Sequence, residues 1–576
     1  MISVSADQRR DSVISRNSLW RNSVVDKPAL RVGVVLDSLQ VARCYGAIID
    51  DILYSNFANL ELIVIPNCPS GNGHLGNGAH RHSLYGFYRS IESRKILPNH
   101  PLEKVDYAPK LANCERIELS VHNGPGAAAT SKVKSQNLDV LIHFGSKASV
   151  SDIPEMARCG VWFYNFGDQG FCADGPACFW ELYEGLPVSP VTLQAQTAGS
   201  NVVLCESFFA TQQTISVSAN RFAPFWGSTE LVIRKLNELH QYGWDYLVQN
   251  SISRGSNQGE PKSISIPNDL EMVGWLGPVL LKKAVRYPFR QKAVQHWQLG
   301  VRANAKPLSD SSSDTSLDGF NWGDAPPGHF WADPFGFEHE GKNWLFFEDY
   351  SYSEKRAGIV CAEILNDGSL GVSIPCLNDP GCHYSYPYVF HNGAEIFMIP
   401  ESYDSGVVDL YRCEAFPNKW MRVSTLLNGK FVDTSVWQDQ GLWWIMTTSA
   451  DPNPRTACLF LFYAESLTGE WHFHPANPIS TDVRNNRGAG RIFKEGDHWI
   501  RPSQSCSPTY GYSFTLNKIT ELSTQQYREQ ALRTVTPEFW KGLCGVHTYN
   551  RIGNLEFIDG ARMVPKRQVE TMVARG

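Results

Sequence analysis

The sequence predicts two units of different class, an α/β unit in the first half and an all-β unit, a five-bladed β-propeller, in the second. Three observations carry this reading. Short apolar runs alternate with helical patterns up to about residue 245. Beyond residue 330 one pattern of strand, glycine turn and aromatic strand recurs four times. Between the two lies Ser251–Lys262, rich in Ser, Asn, Gly and Pro, as a linker would be. The boundaries expected are a disordered tail over 1–28, an α/β domain over 29–250, a linker over 251–285 and a propeller over 286–576.

In the first half, Arg31–Leu36 is an apolar run suited to a buried parallel strand. A helix is expected over Val41–Tyr54, and further strands at Leu60–Ile65, Leu138–Phe144 and Gly160–Asn165. Pro190–Gln194 and Asn201–Cys205 read as a hairpin, and Glu230–Tyr242 as a helix with Leu231, Ile233, Leu236 and Leu239 on its apolar side. Strands alternating with helices imply a mostly parallel sheet. The glycines of Gly71-Asn72-Gly73-His74-Leu75-Gly76 have the spacing of a dinucleotide fingerprint, but they follow the second strand rather than the first, so a flexible loop is the reading. His74, His80 and His82 of the same loop are read as solvated rather than metal-binding.

In the second half, each repeat has an inner strand, a glycine turn, an aromatic strand ending in polar residues, and a third strand. The inner strands are Trp331–Phe335, Tyr384–Phe390, Phe431–Trp437 and Gly490–Phe493. The turn glycines Gly341, Gly393, Gly441 and Gly496 recur about every 50 residues, a blade-like period. A fifth blade is expected to join Val546–Tyr549 and Leu555–Ile558 to an upstream strand near His296–Arg302, closing the ring from both chain ends. Ala303–Asp318 is then an inserted loop.

Composition excludes several classes. Hydrophobic residues make up 42% and charged residues 19%, which supports sizeable cores and argues against wholesale disorder. The 52 basic and 58 acidic residues leave a formal charge of −6, so no nucleic-acid footprint is expected over the whole chain. No run of 18 apolar residues predicts a transmembrane segment. The 14 cysteines include no C-x-x-C pair, and the expectation is a cytoplasmic chain with reduced thiols.

Around Val161–Glu181 the first half resembles the formyltransferase family, a Rossmann-like fold that transfers a formyl group from formyltetrahydrofolate to an amine. The likeness spans about residues 30–245. It places the family's Asn at Asn165, its His at Gly167, its Thr-bearing strand at Pro190–Leu193 and its Asp near Ser200 or Asn201. Glycine has no group to move a proton. Asn165 and Asp168 remain as binding residues, and formyl transfer is expected to be absent.

The segments Trp331–Phe335 with Phe346–Asp349, Tyr384–Tyr388 with Pro400–Ser402, and Asp433–Val436 resemble the propeller in the N-terminal region of plant glucosamine inositolphosphorylceramide transferases and their bacterial relatives. More distantly they are similar to five-bladed furanosidase glycosidases. That resemblance implies a carboxylate on the first inner strand, matched by Asp333, and another on the third, matched by Asp433; the second carries Tyr386 instead. Inner strands line a channel, and glycosidic chemistry needs one carboxyl to protonate the leaving oxygen and another on the opposite face. Asp333, Asp433 and Glu401 are thus the expected catalytic acids. Glu348 and Asp349 near the same rim, and Tyr386 on the second inner strand, are expected as substrate-binding groups, with Arg491, Arg501 and His547 supplying positive charge. The favoured reading is a transferase building a glycan or glycolipid from a carbohydrate or sugar-nucleotide substrate. A formyltransferase acting on an amino sugar nucleotide and a non-catalytic carbohydrate binder are the alternatives.

Overall fold

The computed structural model describes residues 20–21, 26–67, 83–93, 97–120, 127–145, 156–167, 177–212, 214–252, 266–286, 293–304, 306–310, 319–449, 458–539 and 542–573. The chain divides into two compact units, Arg16–Pro288 and Phe289–Gly576. The loop carrying Gly71–Gly76, His74, His80 and His82 lies outside the described residues, as does Asp168.

The first unit is built on a seven-stranded sheet. Its order is Glu115–Ser120, Ala58–Asn67, Leu30–Val35, Val140–His143, Val161–Phe166, Val188–Gln196, Asn201–Ala210. The first five strands run parallel and the last two antiparallel, the expected hairpin. The edge strand Glu115–Ser120 went unread because Glu-Arg-Ile-Glu-Leu-Ser has only two apolar positions, Ile117 and Leu119. Helices Arg43–Tyr54 and Thr229–Tyr242 cover one face. Ile48, Ile49 and Ile52 meet Leu231, Val232, Ile233 and Leu236 there, over Val32 and Val34 of the sheet. Burial of each such side chain contributes about 1.5–3 kcal/mol. Val35, Leu62, Val64 and Leu141 fill the other face.

Two boundaries differ from expectation. Trp20, inside the span read as a disordered tail, is buried in this core. Asp269–Arg286, inside the span read as a linker, is an 18-residue helix that seats Met272 and Trp275 against Tyr85, Tyr88 and Phe179 of the same unit. The Ser/Gly/Pro composition upstream hid an apolar helix behind it.

The second unit is the five-bladed propeller. Four blades follow the chain, with inner strands beginning at His329, Ser385, Phe431 and Arg487. The fifth combines Tyr549–Ile552 and Leu555–Pro565 with Ala293–Ala303 and Asn321–Gly323, so both ends of the unit close one sheet. Each blade gains an outer strand beyond the three expected. Tight hairpins join inner to second strands. Glu340-Gly341 and Gln440-Gly441 all have positive φ (50°, 74°, 50° and 81°), the twist a two-residue type I′ turn needs. The fourth inner strand is interrupted: Arg487–Gly488 and Phe493–Glu495 pair separately with His498–Ser505.

Candidate functional site

A backbone irregularity is repeated in three blades. Each inner strand slips register at the same place, between Ala332 and Phe335, Ser385 and Tyr388, and Val432 and Ser435. Inside each slip one residue adopts the left-handed conformation: Asp333 (φ 51°), Tyr386 (45°) and Asp433 (54°). Asp tolerates this region; a bulky Tyr is held there only by its surroundings. The amide of each bulge residue donates to a carboxylate of the preceding blade. Asp333 donates to Asp559 Oδ2 at 3.0 Å, Tyr386 to Asp333 Oδ2 at 3.3 Å and Asp433 to Glu401 Oε2 at 3.1 Å. The repeat therefore stitches neighbouring blades and draws the acids into one network.

Asp333 and His547 form one half of that network. The Thr548 hydroxyl donates to Asp333 Oδ1 at 2.9 Å, and His547 Nε2 lies 3.8 Å from the same oxygen. His547 Nδ1 lies 2.7 Å from Asp559 Oδ2, while the His547 and Thr548 amides both donate to Asp559 Oδ1. Trp297 stacks on the imidazole at 3.9 Å. Burial pushes Asp333 up to about 6, against the pull of His547 and with the push of Asp559 and Asp433. Burial alone would lower His547, but Asp559, by charge and hydrogen bond, followed by Asp333 and Asp433, raises it.

Asp433 anchors the other half. Arg487 Nε donates to Asp433 Oδ2 at 2.6 Å, and its guanidinium lies 5.1 Å from the Tyr510 ring centre. Burial, then Asp433, push Glu401 up to about 8 despite Arg487. Burial followed by Asp333 and Glu401 raises Glu348 well above the carboxylate range. His383 Nε2 stands 3.5 Å from Glu348 Oε1. Among the described residues, Asp333, His547 and Asp559 could hold a metal ion, their ligand atoms lying within 4.8 Å of one another. Two of these residues, His547 and Asp559, are already joined to each other through Nδ1 and Oδ2 at 2.7 Å.

Other expected residues are placed elsewhere. Asp349 pairs with His329 at 3.0 Å. The Tyr386 hydroxyl donates to the Gly490 carbonyl at 2.9 Å and accepts from the Gly490 amide at 2.7 Å, so its contribution is to hold the fourth inner strand. The Arg491 guanidinium reaches the carbonyls of Val389 (2.6 Å) and Gly336 (3.4 Å) and lies over Tyr388. Arg501 is turned outward along its blade to Glu529, at 2.6 and 2.7 Å. The expectation that Arg491 and Arg501 supply charge to the acids is thus corrected: Arg487 and His547 do so. Arg487 was missed because the fourth inner strand was read from Gly490, three residues too late. Asp559 was missed by one residue, the strand having been ended at Ile558. Yet Phe347-Glu348, Pro400-Glu401 and Ile558-Asp559 share one apolar-to-acid step within the second strand of their blades.

In the first unit, Asn165 pairs in register with Thr192, and its buried Nδ2 has no hydrogen-bond partner among the described residues. Gly167 has φ 113°, and a Cβ built there would stand 2.7 Å from Glu181 Oε1. The space a side chain at 167 would enter is already occupied by that carboxylate.

Residues 315–554 match the family model described as the N-terminal region of glucosamine inositolphosphorylceramide transferase 1. A curated relative of that name from Oryza sativa subsp. japonica is 33% identical over 220 residues, 38% of this chain and 30% of its own length. One from Arabidopsis thaliana is 31% identical over 207 residues, 35% of this chain and 27% of its own. The chain thus spans about 30% of the length of the curated relatives it matches. Among solved structures, the catalytic domain of the Coprinopsis cinerea GH62 α-L-arabinofuranosidase covers 46% of this chain and 97% of itself, at 12% identity and a TM-score of 0.33. The propeller region of this chain is therefore similar in sequence to the N-terminal region of proteins named as transferases.

Proposed function

We propose that the chain is a glycosyl-group transferase in glycan or glycolipid biosynthesis, with its site in the propeller channel. The observation that carries this is the network in which Asp333, Glu348, Glu401 and Asp433 are brought together from three blades beside His547 and Arg487. Glycosyl transfer breaks the bond from the donor sugar to its leaving oxygen and forms one to an acceptor oxygen, which loses a proton. Asp333, held near 6, is ionised at neutral pH and suited to take that proton. Glu401, held near 8, keeps its own proton and can give it to the leaving oxygen. Arg487 supplies charge for an anionic leaving group. The names of the sequence relatives support a sugar donor and a phosphosphingolipid acceptor.

The test is transfer from a panel of nucleotide sugars to inositol-phosphate-bearing lipid and to free glycans. Product formation that disappears in Asp333→Asn and Asp433→Asn supports the reading. Glycan affinity without turnover from any donor replaces it with a carbohydrate-binding role, a reading favoured by the donors that Asp333, Glu401 and Asp433 already engage: Thr548, Arg487 and backbone amides. For the first unit we infer no formyl transfer, because Glu181 stands in the space beside Gly167. Folate-dependent turnover that vanishes in Asn165→Ala would overturn that.

A further inference from the structure

The second strands of the four consecutive blades carry a polar residue at one shared place. It is the seventh residue of each strand: Glu348, Glu401, Thr448 and Gln504. Three of them have partners already. Glu348 and Glu401 belong to the acid network, and the Thr448 hydroxyl donates to the Asn486 carbonyl at 2.8 Å. Gln504 differs. It is 2% exposed, yet its Nε2 has no hydrogen-bond partner among the described residues. A buried amide left so carries its full desolvation cost with no hydrogen bond to offset it.

The neighbour of Gln504 is Arg487. The two are directly paired across the antiparallel ladder, which sets their side chains on one face, about 5 Å apart at Cβ. Asp433 engages Arg487 through Nε alone, at 2.6 Å, and the two terminal nitrogens of the guanidinium donate to no group among the described residues. Amide and guanidinium N–H donors thus stand side by side without acceptors. Tyr510 borders them. Its ring lies 5.1 Å from the guanidinium and meets His547 edge-on at 5.7 Å, and the residue is 45% exposed, so this side of the network reaches the surface. Glu401, held near 8, keeps its proton at neutral pH and does not repel an anion there. Converging N–H donors around a guanidinium suit the oxygens of a phosphoryl group. Both substrates of the proposed transfer carry phosphate, the nucleotide sugar in its diphosphate and the lipid in its headgroup. We infer that Gln504 and Arg487 together bind a phosphoryl group of the substrate, with Gln504 Nε2 and the terminal Arg487 nitrogens donating to its oxygens. The choice of phosphate rests on the transferase reading; the placement of the donors does not.

The experiment is isothermal titration calorimetry of the full chain with inorganic pyrophosphate and, separately, with inositol 1-phosphate. In Gln504→Leu and Gln504→Glu, affinity for one of the two should fall about tenfold or more, the worth of a hydrogen bond to a charged group. A loss with pyrophosphate assigns the subsite to the donor, and a loss with inositol 1-phosphate assigns it to the lipid headgroup. Gln504→Leu removes an unpaired amide, so its melting temperature should equal or exceed that of the unaltered chain, which separates lost binding from lost folding. Gln298→Leu is the control. Gln298 has the same buried, unpartnered Nε2 among the described residues, but a Cβ at its paired residue Gly560 would meet Trp322 and Leu543. Its affinities should be unchanged. No binding of either probe by the unaltered chain overturns the inference, as do equal affinities in the Gln504 variants or an equal loss in Gln298→Leu. Absence of transfer from every sugar nucleotide, with these binding changes intact, overturns the transferase reading instead.

Discussion

The propeller and the end of strand Val161–Phe166 in the first unit's sheet both present buried polar groups, but they do so differently. In the channel, one strand position is repeated blade after blade, and each copy binds the next through a bulge amide and a carboxylate. In the first unit, Asn165 stands with an unpartnered amide beside a glycine whose side-chain space holds Glu181. Repetition around an axis concentrates like charges, and burial then pushes their proton affinities apart. The end of a single strand has no such concentration.

The largest effect that would sharpen this contrast is catalytic. Asp333→Asn is expected to lower transfer by about 10²–10⁴-fold, the usual worth of a positioned acid or base, while Asn165→Ala leaves it unchanged. Equal losses in both would break the division between the units. Next is stability. Arg487→Ala leaves Asp433 buried without its cation and should cost about 3–5 kcal/mol in chemical denaturation. Adding Asp433→Asn should recover much of that; a double variant no better than the single one contradicts the pairing.

The pH dependence is a smaller effect. Glu401 is raised from its ordinary 4.5 to about 8, and Asp333 from 3.8 to about 6. A carboxyl raised in the folded state binds more protons there than in the unfolded chain, so its contribution favours folding below the unfolded value and fades as pH rises through the folded one. The melting temperature should therefore fall between about pH 3.8 and 8, and Glu401→Gln should flatten the upper part of that slope. An identical slope in the variant would place the titration elsewhere. The smallest effect lies in the first unit. Gly167→Ala combines a positive φ with a clash on Glu181 and should cost about 1–2 kcal/mol, partly relieved by Glu181→Ala. A neutral substitution would mean that the glycine is not required.

Much of this was legible from residue order. The strands Leu30–Val35, Ala58–Asn67 and Val161–Phe166 announced themselves because buried parallel strands are continuous apolar runs. The blades were readable because hairpin turns demand glycine at a fixed place, and the closing blade because a ring leaves no edge. Asp333, Asp433, Glu401 and His547 were expected from their place in the repeat, and Asp333 with His547, and Asp433 with Glu401, are neighbours in the folded unit.

What residue order could not supply was the partner of each group. Arg501 looked equivalent to the cation of the acid network, yet Glu529, two strands away on the outer strand of the same blade, takes it outward, while Arg487 turns in to Asp433. That Asp559 orders His547, that Tyr386 serves Gly490, and that Glu181 occupies the space beside Gly167 are likewise contacts between residues far apart in the chain. Local pattern sets where a strand or turn forms because backbone conformation and side-chain alternation act over a few residues. Which charges meet, and hence which of them keep their protons, depends on distances that exist only once the ring has closed.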